Sequence, residues 1–97
     1  VGVDSGQLII CDPCYIDSEW QHLPATEIAA NHSGEFNYQG VCCTTSLSKI
    51  GCGQLNYKLG HPGVGVACGN FGGDGVFPVY VEMDSHGQAR RLTVEFD

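Results

Sequence analysis

The sequence predicts an all-β domain: a mainly antiparallel sandwich or partly closed barrel of about six strands, with one short helical insertion near residues 18–31. Three observations lead there. Apolar residues recur with period two in short runs; turn residues, including 14 glycines, punctuate those runs at close intervals. The connections are also too short for the crossover helices that a parallel sheet requires. At 97 residues the chain forms one unit, a single β domain over 1–97 with one modest core.

Gln7–Cys11 (QLIIC) is a continuous apolar run between SG and DP, the pattern of a short buried strand that Asp12-Pro13 ends. Ser18 is an N-cap candidate with an acid behind it, and Pro24 forbids one straight helix. The expectation is a helical turn over 18–23 and a second over 25–31. Glu35–Ser46 is rich in aromatic and β-branched types and is expected as a strand, with Gly40 marking a bulge or a close backbone approach.

In QLNYKLG, Leu55, Tyr57 and Leu59 alternate with Asn56 and Lys58. After the His61-Pro62-Gly63 turn, Val64, Val66 and Cys68 are expected on one face of a strand and Gly65 and Ala67 on the other. Val79, Val81 and Met83, then Leu92, Val94 and Phe96, alternate in the same way around DSHG. Phe77–Phe96 therefore reads as a hairpin turning at Asp84–Gly87.

Eleven acids against four basic residues give a formal charge of -7, which repels phosphate backbones and anionic membranes. Nucleic acid and membrane are thus not expected as partners; a small molecule or a protein is. No apolar stretch approaches the ~20 residues that span a bilayer, and VGVDSG lacks the pattern of a signal peptide. The expected location is cytoplasmic. The six cysteines, two of them adjacent and two inside strand-like patterns, read as reduced thiols rather than a disulfide framework.

Cys11 and Cys14 have CxxC spacing, but no second CxxC or HxxxH completes a zinc site. A redox pair would need a helix opening at Cys14 to lower a thiol pKa, whereas the expected helical turn starts only at Ser18. Cys14 as a nucleophile would need a histidine base, and His61, in a loop between two strands, is the candidate. Asp4, Asp12 and Asp74 each end a strand: as a cluster they would hold a cation through oxygen ligands, and separately each would close an Asx-turn. The separate reading is preferred, so no metal and no cofactor are expected. Gly73-Asp74-Gly75 turns the chain into PVYV, where Tyr80 points outward and is a binding-face candidate beside Tyr15 and Tyr57.

Three segments together carry a resemblance: VDSGQLIICDPCYI at 3–16, GQLNYKLGHPGVGVACG at 53–69 and GDGVFPVYVEMDSHGQARRLTVEF at 73–96. They resemble a family of small bacterial and phage-type proteins, related to a larger domain-of-unknown-function family with GDPCY near the start and GDG and PVY near the end. In this chain Cys11 replaces the glycine before DPCY, and Phe77 stands where Tyr is usual. The resemblance implies a compact β domain and no particular activity.

The functional expectation is a non-enzymatic binding or interaction module whose DPCY and GDG turns form one recognition edge. Its candidate residues are Asp12, Cys14, Tyr15, His61, Asp74 and Tyr80. A small hydrolase using Cys14 or clustered aspartates, and a metal-stabilised structural domain, are the alternatives.

Overall fold

The computed structural model describes residues 1–22 and 32–96. In chain order its elements are β1 (Gly2–Val3), β2 (Leu8–Cys11), α1 (Cys14–Ser18), α2 (Tyr38–Leu47), β3 (Cys52–Asn56), β4 (Pro62–Cys68), β5 (Gly75–Val76), β6 (Val79–Met83) and β7 (Ala89–Val94). Among the described residues every strand ladder is antiparallel, as expected, with one isolated parallel bridge between Glu35 and Asn56, and the strands form three sheets ordered β2-β4-β3, β1-β5 and β6-β7. The sheets do not close into a barrel.

One layer of α2 on the three-stranded sheet makes the core. Phe36, Val41, Leu55, Val64 and Ala67 are buried together, with Ile9, Cys11, Tyr15, Trp20 and Tyr57 packed around them. The helix lies close because Gly53 faces it without a side chain, and a Cβ there would come within 2.5 Å of the Thr44 methyl. Leu55 and Ala67 are fully buried on the same side.

The segment 35–46 is the main correction: it is helix, not strand. Asn37 adopts an extended conformation and its side chain accepts from the Gly40 amide at 2.6 Å, capping the first turn. Gly40, Val41, Thr44 and Thr45 then share one buried face, a spacing only a helix gives. Packing on β3 and β4 outweighs the β preference of Val and Thr. The close approach read from Gly40 is real, since a Cβ there would run into the Glu35 carbonyl.

The first helical turn also lies elsewhere, at Cys14–Ser18 rather than 18–23. Pro13 supplies the preset φ of -60° at its start, and Ser18 closes the far end by donating to the Cys14 carbonyl. The turn expected over 25–31 falls outside the described residues. β3 stops at Asn56 because Gly60, at φ +101°, turns the chain and donates to the Tyr57 carbonyl; Leu59 is left exposed. A register shift at Leu55/Asn56, opposite Gly63 at φ +120°, puts Val64 into the core. Val64 and Ala67 are therefore buried while Val66 and Cys68 are only half-buried, which replaces the expected simple alternation.

The hairpin expected over Phe77–Phe96 is present as β6 and β7. Asp84 accepts from the His86 and Gln88 amides at its turn, with Gly87 at φ +78°. Its base is fixed by Phe71, Phe77 and Phe96, Phe71 stacking on Phe96 at 3.9 Å. Beyond that base, all five residues of β6 are exposed. β2 is likewise less covered than a buried strand, with Ile10 51% exposed.

Candidate functional site

Asp12, Cys14, Tyr15 and His61 come together at one corner of the three-stranded sheet, joined by Tyr57, which the sequence places in a binding face with Tyr15 and Tyr80. The Tyr15 ring meets Tyr57 edge-on at 5.2 Å, and Tyr57 stacks on His61 at 4.4 Å. The turn after β3 makes this possible: the Tyr57 amide donates to the His61 carbonyl, folding His61 back over the ring. Asp12 caps the neighbouring turn by accepting from the Cys14 amide at 3.0 Å. That bond holds the Asp12 carboxyl below its usual range.

α1 does open at Cys14, directly after β2, so the chain has the strand-CxxC-helix order that sequence reasoning denied it. The electrostatics nevertheless oppose thiol activation. The Asp12 carboxylate accepts from the Cys14 thiol and pushes its pKa up, and burial followed by the Asp12 charge does the same for Cys11. A raised pKa leaves less thiolate at neutral pH, which slows attack by either thiol. Tyr15 is raised to about 12, first by its hydrogen bond with Tyr57 and then by the Tyr57 charge.

Asp74 and Tyr80 lie elsewhere. β1 pairs with β5 through Gly2↔Val76 and Val3↔Gly75, a register that sets Asp4 opposite Asp74 when carried one step further. A Cβ on Gly6 would touch the Gly73 backbone at 3.9 Å, so the GDG turn sits at the start of β2. Asp12 follows the end of β2, whose four residues span ~13 Å. The DPCY and GDG turns thus stand at opposite ends of one strand, and Asp4, Asp12 and Asp74 do not share a site. No group of three His, Cys, Asp or Glu side chains among the described residues is placed to hold a metal ion. Asp74 makes no side-chain hydrogen bond among them either, in contrast to the Asx-turns of Asp12 and Asp84. Tyr80 is exposed on the hairpin, paired with Thr93.

Between the two turns runs an apolar groove of about 310 Å³, lined by Leu8, Ile9, Ile10 and Cys11 and, across from them, by Val1, Val79, Leu92 and Val94. Leu8 and Ile10 face one side of the sheet and Ile9 and Cys11 the other, so a groove touching all four follows the edge of the strand. Among the described residues that edge has no strand partner, since β2 is hydrogen-bonded there to β4 alone. The hairpin alternation was visible in the sequence, but its position beside β2 had no local signal.

A second feature missed in the sequence is the set His32, Glu35 and Asn37. Glu35 receives His32 Nδ1 at 2.5 Å and Asn37 Nδ2 at 3.1 Å. Burial works to raise the Glu35 carboxyl, yet these bonds hold it below its usual range. Glu35 borders a cleft of about 220 Å³ with Gln21, Phe36, Asn56, Tyr57, Lys58 and Gly60. Reading 35–46 as a strand hid the i, i+2 and i+3 relations that build it. Comparison with protein-family models, curated proteins and solved structures finds no match to this chain.

Proposed function

We propose that this chain is a non-enzymatic interaction module that takes an extended, apolar peptide segment of a partner protein along the free edge of β2. The observation that carries this reading is that four consecutive β2 residues line one groove on the side of the strand that has no strand partner among the described residues. An unpaired strand edge offers a row of backbone donors and acceptors, and an incoming strand satisfies them while its side chains fill apolar pockets. Val79 and Leu92 on the opposite wall are 43% and 55% exposed, and Val81 and Met83 extend the exposed apolar surface of the hairpin beyond the groove. Asp12 at one end of β2 and Asp4 with Asp74 at the other give the groove acidic limits, which favours a segment with basic flanks.

The motifs DPCY and GDG border this groove, so membership of the family they resemble is part of the same proposal. The recognition edge is then the strand between the two turns. The cleft beside Tyr57 is a weaker candidate for a small molecule, since about 220 Å³ falls below the ~300 Å³ at which small-molecule sites begin.

The test is a titration of 15N-labelled protein with a short peptide of alternating Val and Thr carrying a lysine at each end. A control peptide has proline at alternate positions and cannot donate a ladder of hydrogen bonds. The expected result is amide shifts in Leu8–Cys11, Val79 and Leu92 with the first peptide only. Equal binding of both peptides, or shifts confined to Tyr57, Lys58 and Gly60, would refute strand addition.

A further inference from the structure

We propose that Cys52 and Cys68 are a redox-modification site that closes into a cross-strand disulfide by exchange with a small-molecule disulfide. Cys52 and Cys68 are direct partners in the β3-β4 ladder. The next pair outward, Gly51 and Gly69, is joined by a bond from the Gly69 amide to the Gly51 carbonyl at 2.6 Å. Antiparallel pairs alternate between hydrogen-bonded and non-hydrogen-bonded, which makes Cys52/Cys68 a non-hydrogen-bonded pair. In such pairs the Cα atoms stand ~4.5 Å apart with the side chains converging, within the ~4.4–6.8 Å that a disulfide spans.

Both thiols are free, and both are half-buried. Gly53 faces α2, so Cys52 beside it points to the other side of the sheet, away from the helix. A small disulfide therefore reaches the pair without the core opening. Burial, with the Cys52 thiol beside it, raises Cys68 to about 11, so Cys68 is assigned the second, slower attack, and closure speeds up as pH rises.

The exchange runs in two steps with glutathione disulfide as the oxidant. The Cys52 thiolate attacks one glutathione sulfur, forming a mixed disulfide and releasing one glutathione thiolate. The Cys68 thiolate then attacks the Cys52 sulfur, the mixed S–S bond breaks, and a second glutathione leaves. The protein thiols lose two electrons and two protons in all, and one glutathione disulfide becomes two glutathione thiols. The product ties β3 to β4 across the loop from 53 to 67.

The experiment equilibrates the folded protein in graded glutathione redox buffers, quenches with acid, blocks remaining thiols and maps the peptides. The expected species is two hydrogens lighter, with Cys52 linked to Cys68 and the other cysteines blocked, and its Tm is higher by about 10 °C. In Cys52→Ser, Cys68 should instead carry glutathione or stay reduced, and the Tm rise should vanish. Cys68→Ala makes the same test from the other side if the first variant folds poorly. A first-formed link between Cys11 and Cys14, or stable glutathione adducts on Cys52 and Cys68 in the wild-type protein, would overturn the assignment.

Discussion

The Asn37 side-chain oxygen accepts the Gly40 amide at 2.6 Å, and that bond sets the start of α2. Asn37 is completely buried and also donates to Glu35, so it joins the helix to the chain leading into it. Asn37→Ala should lower stability by about 1–2 kcal/mol in urea unfolding, the upper range for an N-cap. A loss under about 0.3 kcal/mol would mean that packing alone places α2.

Gly40→Ala tests the same junction through space rather than hydrogen bonding. Alanine is ordinarily the better helix former by about 1 kcal/mol. Here its Cβ would run into the Glu35 carbonyl, and backbone does not yield as a side chain does. The expected outcome is a net destabilisation of about 1–3 kcal/mol, measured by thermal unfolding.

Leu55→Ala and Val81→Glu should separate core from surface. Leu55 is fully buried beneath α2, and its truncation should cost about 2–5 kcal/mol. Val81 is 49% exposed on the hairpin, so Val81→Glu should change stability by about 0.5 kcal/mol or less. Paired urea curves decide the matter, and a large loss in Val81→Glu would show the hairpin face to be covered in solution.

Alkaline titration reports on the aromatic corner and on the Cys52/Cys68 pair. Tyr15 is raised from 10.0 to about 12 and Cys68 from 9.0 to about 11, so the fold favours the neutral form of each. Their contribution to stability is complete below pH 9 and is lost as pH rises through 11 and 12. Absorbance at the phenolate band should show a late-titrating tyrosine that disappears in Tyr15→Phe. Ordinary titration of Tyr15 would mean that its contact with Tyr57 does not persist.

The hairpin over Phe77–Phe96 was legible because its information is local: alternation, Asp84 and Gly87 lie within one stretch of chain and need no outside partner. Gly40 was legible as a close approach for a similar reason, since only glycine fits there. The four corner residues Asp12, Cys14, Tyr15 and His61 were picked out individually, and Tyr57 entered as part of a binding face with Tyr15 and Tyr80; that it joins Tyr15 to His61, away from Tyr80, had no local signal.

The sequence by itself determined an antiparallel, mostly β chain with its turns, because period-two patterning and positive-φ glycines act over a few residues. Tertiary structure alone decided that 38–47 is a helix, because Val, Cys and Thr carry no strong helix preference and only burial of one face against β3 and β4 selects that form. It also decided that DPCY and GDG stand apart. Each turn encodes a reversal of its own backbone, and their separation is set by the length of β2 and by which edge the hairpin lies beside, neither of which any local pattern specifies.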